Sequence, residues 1–241
     1  MNHPMNPQSL RQATLVLMLA ATNLAHAQTT PRSQELARLT GMAEFGVGAL
    51  TLPAATVCTD RASGKCKQGD TSLMLEAWQL LRTSRRLAAG AGVTLGLFPT
   101  AEVPLNDTPA VSRDHRRSYF VAEAILRGYF YSSPEWELWG GITSGLVVIA
   151  DTYSSKEALT GRVLQGPRGV TTRTEGFTLG CALGFSRPIL GDWSLGGEFR
   201  YGWWSLPKQP ERSPFGDEAS LTGRNSMFLL GLSIGYRINV Y

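Results

Sequence analysis

The chain has 241 residues, of which 17% are charged and 43% apolar, with a formal net charge of +4. That length suits one ordinary domain or one small barrel. The apolar share excludes a disordered chain, the scattered positive charge argues against a nucleic-acid partner, and 26 glycines favour strands and turns over helices.

The first residues read as an export signal. Arg11 precedes the apolar stretch Ala13 to Ala21, and Ala25-His26-Ala27 places small residues around a larger one, as a signal peptidase requires. Residues 1–27 are therefore predicted to be a signal peptide cleaved after Ala27, and 28–41 a polar leader. No other run of about 18 apolar residues follows, so no membrane-spanning helix is expected. No cysteine stands at the cleavage site, which argues against a lipid anchor.

The remainder divides into eight strand-like segments: Met42 to Leu52, Ser72 to Thr83, Leu87 to Phe98, Arg117 to Phe130, Trp136 to Ala150, Arg173 to Ser186, Trp193 to Trp204 and Arg224 to Tyr241. Between the first two, Cys58 and Cys66 bracket a short segment and are predicted to form a local disulfide in an oxidising compartment. A metal site would need two further ligands, and none lies nearby. Cys181 is left over, expected to pack as a small apolar side chain. The second segment is the weakest, because Met74, Trp78 and Leu80 share a parity with Glu76 and Arg82. In the fourth, Phe120, Ala122, Ala124, Leu126 and Phe130 alternate with Glu123 and Arg127. The fifth sets Trp136, Leu138, Ile142, Leu146 and Val148 against Glu137, Gly141 and Thr143. The seventh sets Trp193, Leu195, Phe199, Tyr201 and Trp203 against Ser194, Glu198 and Arg200. The last is the clearest: Phe228, Leu230, Leu232, Ile234, Tyr236, Ile238 and Val240 share one parity, and Ser233, Gly235, Arg237 and Asn239 the other. Period two over that length excludes a helix.

Connections alternate in length. Stretches 53–71, 99–116, 151–172 and 205–223 are long and polar, whereas 84–86, 131–135 and 187–192 are short and carry turn residues. Long and short links at opposite ends describe an all-β, eight-stranded antiparallel up-and-down barrel. Aromatic residues gather at both strand ends, as they do at the two interfaces of a bilayer. A soluble sandwich would show the same alternation turned inside out. The polar parity, however, mixes glycine with Glu44, Glu123, Arg127, Glu137, Glu198, Arg200 and Arg237, which suits a packed interior of paired charges. Arginine is the better bidentate partner for a carboxylate there.

On these features, residues 42–241 resemble the small eight-stranded outer-membrane barrels of Gram-negative bacteria, of the OmpA transmembrane-domain, OmpX and OmpW type. The resemblance implies a transmembrane barrel with a closed, charged core, and a terminal aromatic read by the barrel insertion machinery. Here that aromatic is Tyr241, on the parity opposite to Phe228 through Val240. No peptidoglycan-binding domain is expected after the barrel.

Catalysis is not expected. His115 is the sole imidazole beyond the signal peptide, in a predicted loop beside Asp114, where cationic neighbours would lower its pKa. Arg113, Arg116 and Arg117 in the same run suit phosphates of lipopolysaccharide. The glycine stretches Gly90-Ala91-Gly92 and Gly140-Gly141 do not open helices, so they are not nucleotide loops. The expected role is a monomeric, exported outer-membrane barrel of structural or surface-interaction type, without cofactor, whose partners are membrane lipid, lipopolysaccharide and the insertion machinery. The alternatives are a narrow channel or small-hydrophobic-molecule transport barrel, and a rim-located lipid-modifying enzyme.

Overall fold

The structure is a computed structural model that describes residues 40–60, 65–102, 113–155, 169–213 and 217–239. The predicted signal peptide, most of the leader, Val240 and the terminal Tyr241 lie outside the described residues. Nine strands follow in chain order: β1 Thr40–Asp60, β2 Lys65–Ser84, β3 Leu87–Gly96, β4 Thr100–Glu102, β5 Arg113–Ser132, β6 Glu137–Ser155, β7 Gly169–Leu190, β8 Trp193–Ser205 and β9 Arg224–Asn239.

Nine strands stand where eight segments were expected, because the third is interrupted. The chain leaves the ladder at Leu97 to Pro99 and returns as β4, which pairs with β5 beyond the end of β3. Pro99 has no amide hydrogen to give to a ladder. All pairings between these strands are antiparallel, and the sheet closes on itself: β1 pairs with both β2 and β9, while β3 pairs with both β2 and β5.

The register fixes the shape of that ring. Moving from Thr40 through Arg82, Ala88, Arg127, Gly141, Ala182, Arg200 and Leu229, each paired with the one before, returns to β1 at Leu50, ten residues beyond the start. A ten-residue offset over a circuit of eight strands corresponds to a strand tilt of about 40°. Such a ring has room for side chains inside and little else.

Alternation sorts the side chains as the sequence implied. Phe228, Leu230, Leu232, Ile234, Tyr236 and Ile238 of β9 point outward and are exposed, while Met227, Leu229 and Asn225 are buried inside. The weak second segment is explained by the same geometry. Its mixed parity, Met74, Glu76, Trp78 and Leu80, is the interior one, and Leu73, Leu75 and Leu81 face outward. An interior built from both apolar and charged groups blurs the pattern that a solvated face would have sharpened.

Links at one end are short: Arg85-Arg86 joins β2 to β3, and Gly191-Asp192 joins β7 to β8 with Gly191 at φ 56°, a left-handed value suited to a two-residue hairpin. The beginning of β1 and the end of β9 lie at this end too. At the far end the strands run on into stretches expected to be loops. β1 reaches Asp60 and β2 begins at Lys65, with Cys58 opposite Cys66. β5 begins at Arg113, β6 reaches Ser155 and β7 begins at Gly169. Period-two patterning weakens there because neither face meets a uniform environment, yet backbone pairing continues.

Candidate functional site

Two places concentrate charge inside the ring, separated by an apolar storey. Nearest the short turns, the Glu137 carboxylate takes hydrogen bonds from Arg82 at 2.7 Å, Arg237 at 2.8 Å, and Ser132 and Ser186 at 3.2 Å. The Arg82 guanidinium also lies 4.1 Å from the Tyr129 ring centre. Beside this group a cavity of about 60 Å³ is lined by Thr40, Met42, Leu80, Arg82, Ala88 and Arg237, space for a water or two.

Further in, four carboxylates surround two guanidiniums. Arg127 meets Glu44 at 2.9 Å and 2.8 Å and approaches Glu198 at 3.7 Å. Arg200 meets Glu123 at 2.7 Å, Glu198 at 3.1 Å, and Glu76. Thr94 donates to Glu76 and Thr178 to Glu123, each at 3.2 Å. The rings of Trp139 and Trp78 lie against the faces of Arg127 and Arg200. Glycine makes that room: a methyl group at Gly92 would sit 2.4 Å from the Trp78 ring, and one at Gly184 would sit 2.3 Å from the Trp139 ring. The seven charged residues expected inside, Glu44, Glu123, Arg127, Glu137, Glu198, Arg200 and Arg237, are all placed there, with Arg237 partly exposed at the mouth. Glu76 and Arg82 were missed, since their parity was masked by apolar neighbours.

Above this network Leu50, Met74, Val121, Val147, Ile149, Trp204, Met227 and Leu229 form an apolar storey. Leu206 and Leu221, from the β8–β9 connection, join it. No open lumen passes this level in the described residues, because Trp204, Met74, Val147 and Ile149 are fully buried there.

The far end carries the second charged cluster. Arg117 contacts Asp70 at 3.0 Å and Glu102 at 3.5 Å, and Thr100 and the Tyr119 hydroxyl also donate to Asp70. His115 is held from both sides, its Nδ1 2.6 Å from Glu102 and its Nε2 2.7 Å from Asp151. The Tyr153 ring stacks on it at 4.4 Å. Asp151 in turn accepts the Ser220 hydroxyl at 2.6 Å and the Ser220 amide at 3.1 Å, and the Tyr153 hydroxyl donates to the Glu218 carbonyl. The β8–β9 connection is thereby tied to β6.

Several expectations about this run are corrected. His115 belongs to β5, not to a loop, and is buried facing inward. Its ring partners are Glu102 and Asp151 from other strands, because a neighbour such as Asp114 points to the opposite face. Burial alone would lower its pKa, but the hydrogen bonds to Asp151 and Glu102 outweigh that and raise it above the usual 6.5. When it is protonated, both ring nitrogens donate to carboxylates and neither has a lone pair to offer as a general base. Arg117 faces inward and is consumed by Asp70, so it cannot reach a lipid; Arg116 faces outward and is exposed. Arg113 lies in β5, and its side chain is outside the described residues. Cys58 and Cys66 are disulfide-bonded. Cys181 is exposed on the outward face of β7 instead of packed within. Among the described residues no cluster of ligating side chains could hold a metal ion.

The outward surface is the third feature. It is dominated by apolar groups from Phe120 to Phe130 on β5, from Leu138 to Val148 on β6 and from Phe228 to Ile238 on β9. At the tilt given above, ten residue steps rise about 25 Å. Apolar side chains line a shallow outward groove of about 680 Å³, among them Val47, Leu73, Leu183, Phe199, Leu230 and Leu232.

No family model matches the chain, and no curated protein matches it. Solved structures similar to it include Neisserial surface protein A, at 10% identity over 83% of this chain and 97% of that one, with a TM-score of 0.48. The attachment invasion locus protein Ail of Yersinia pestis is similar at 10% identity over 82% and 99%, with a TM-score of 0.44. A major outer membrane protein from Thermus thermophilus is similar at 13% identity over 81% and 99%, also with a TM-score of 0.44.

Proposed function

We propose that the protein is an outer-membrane β-barrel of structural or surface-interaction type, non-catalytic, with eight staves of which β3 and β4 together make one. The observation that carries this is the inversion of polarity. Phenylalanine, leucine and isoleucine cover the outside over about 25 Å, while Arg127 and Arg200 are at most 1% exposed within. In water that arrangement would leave an unfavourable apolar surface far above the patch size of soluble proteins; in acyl chains it is the favoured one. Export through a signal peptide cleaved after Ala27, a polar leader that ends where β1 begins at Thr40, and folding as a monomer by the barrel insertion machinery complete the reading.

The short turns would face the periplasm and the longer connections the outside. The far-end charged cluster then lies at the outer mouth, and lipopolysaccharide is the lipid partner on that side. The apolar storey and the two ion networks oppose a narrow channel, since a permeating solute would have to displace Trp204 or break Arg200 from its carboxylates.

Refolding into detergent or vesicles tests the reading. A closed barrel is expected to migrate faster on a gel when unheated than when boiled, and planar bilayers holding it are expected to show no discrete conductance steps. Absence of the heat-dependent shift would overturn the barrel in a membrane, and stable steps would overturn the closed core.

A further inference from the structure

Three outward arginines share one relationship to the apolar belt. In each of β5, β7 and β9, which run in the same direction, an exposed arginine stands four residues before the last phenylalanine of the belt: Arg116 before Phe120, Arg173 before Phe177, Arg224 before Phe228. Even spacing puts each pair on one face of its strand.

The register shows that the three stand at one height. With ten residues of offset per circuit, a hydrogen-bonded path climbs about two to three residues over two strands. Arg173 lies level, through Ala150, with Ser118, two residues inward of Arg116. Arg224 lies level, through Ser205, with Phe177, four residues inward of Arg173. After the climb is allowed for, the three agree to within about 4 Å of height. They stand about 10 Å above the phenylalanines along the barrel axis. If those rings mark the edge of the hydrocarbon, that is the headgroup level.

Among the described residues no ion pair joins Arg116, Arg173 or Arg224 to a carboxylate; Asp114 stands two residues from Arg116 and Glu175 two residues from Arg173 on the same outward faces, so the collar keeps an excess of one positive charge over its neighbours. The Arg224 guanidinium lies 4.6 Å from the Trp203 ring centre, which orients it without discharging it. Thr152 and Thr171, whose hydroxyls meet at 3.1 Å, stand exposed between Arg116 and Arg173. The sequence run Arg113, Arg116 and Arg117 thus contributes one member, and its other members come from distant strands.

We infer that Arg116, Arg173 and Arg224 form a collar that binds the phosphate groups of lipid headgroups in the outer leaflet. Guanidinium groups are suited to phosphate by their planar forked donors. The spacing fits a lipid and not a free anion. The cations sit on alternate strands, about 10 Å apart around the ring, too far for one phosphate to join but within reach of the several phosphates of a packed anionic leaflet whose chains lie on the belt below. The inference rests on the membrane reading above and on its orientation.

The test uses the full chain without its signal peptide, refolded in neutral detergent micelles and in phosphatidylcholine vesicles. Binding of bisphosphorylated lipid A, of the same lipid with its phosphates removed, and of inorganic phosphate is followed by native mass spectrometry and by Trp203 fluorescence. The wild type is expected to hold the bisphosphorylated lipid at least tenfold more tightly than the dephosphorylated one. Combining Arg116→Gln, Arg173→Gln and Arg224→Gln is expected to abolish that preference, and the corresponding triple lysine variant to keep part of it. Equal preference in the glutamine variant would overturn the collar, as would inorganic phosphate displacing the lipid at low millimolar concentration. The heat-dependent gel shift separates the two readings. Its loss in the wild type removes the membrane barrel itself, whereas a normal shift with unchanged lipid preference removes only the collar.

Discussion

Arg127 and Glu44 stand 83 positions apart in sequence and meet inside the barrel through two contacts, Nη1 to Oε1 at 2.9 Å and Nη2 to Oε2 at 2.8 Å. They do so because β5 stands three staves round the ring from β1 with both side chains pointing inward, and because Gly184 yields space for the Trp139 ring that covers the guanidinium.

Removing Glu44 leaves the buried Arg127 guanidinium with the more distant Glu198 carboxylate, at 3.7 Å. Glu44→Ala is expected to destabilise the refolded barrel by about 3–5 kcal/mol, whereas joint replacement by Glu44→Leu and Arg127→Met recovers most of the loss. Urea titration of the vesicle-bound protein, read by the gel shift, measures both. If the double variant were as unstable as the single one, the pair would contribute more than mutual neutralisation.

The far-end latch depends on pH. His115 lies five residues beyond Phe120, outside the apolar belt, between Glu102 and Asp151. Its pKa is raised in the folded state, so its contribution is fully present below 6.5 and is lost as pH rises through the raised value. The wild type should therefore lose stability across that window, and His115→Gln should be less stable at pH 5 with a flatter profile above. Parallel profiles for the two proteins would show that the imidazole carries no such linkage.

The belt predicts an asymmetry between neighbours on one strand. Ile142 is 62% exposed on the outward face of β6, while Thr143 is buried inside. Ile142→Arg is expected to cost about 2–4 kcal/mol in a bilayer, as charge does near a membrane midplane. Ile142→Leu is expected to be neutral. Tolerance of the arginine, measured by the fraction folded in vesicles, would point to an aqueous environment.

Cys181 offers a chemical reading of the same face. It lies outward on β7 between Leu179 and Leu183, so a lipid-soluble maleimide should label it in vesicles and a charged, membrane-impermeant one should not. Fluorescence from the label should be quenched by a nitroxide on the acyl chains and not by aqueous iodide. The reverse pattern would place β7 in water.

Much of this was legible beforehand, and the exceptions have physical causes. The alternation of Phe228 to Ile238 names a two-faced strand because one environment covers its whole length, and the charged members of the interior were named from the opposite parity. Glu76 escaped because Met74 and Trp78 share its face, a mixture that only a packed interior produces. Asp70, Glu102 and Asp151 escaped because they lie in stretches that look like polar loops, where strand pairing continues without a period-two signal. Arg117 shares the parity of Glu123 and Arg127, so the alternation already pointed it inward; grouping it with Arg113 and Arg116 as one basic run hid that adjacent arginines of a strand part to opposite faces.

By itself the sequence determined the strand pattern and the approximate ends of the apolar faces, since each follows from the order of side chains along one segment. Only the tertiary structure decided which carboxylate meets which guanidinium, that His115 is clamped from two other strands, and that Arg116, Arg173 and Arg224 share a level. Those relations depend on register and closure. The ten-residue offset that brings Thr40 back to Leu50 is a property of the whole ring, and no single strand encodes it.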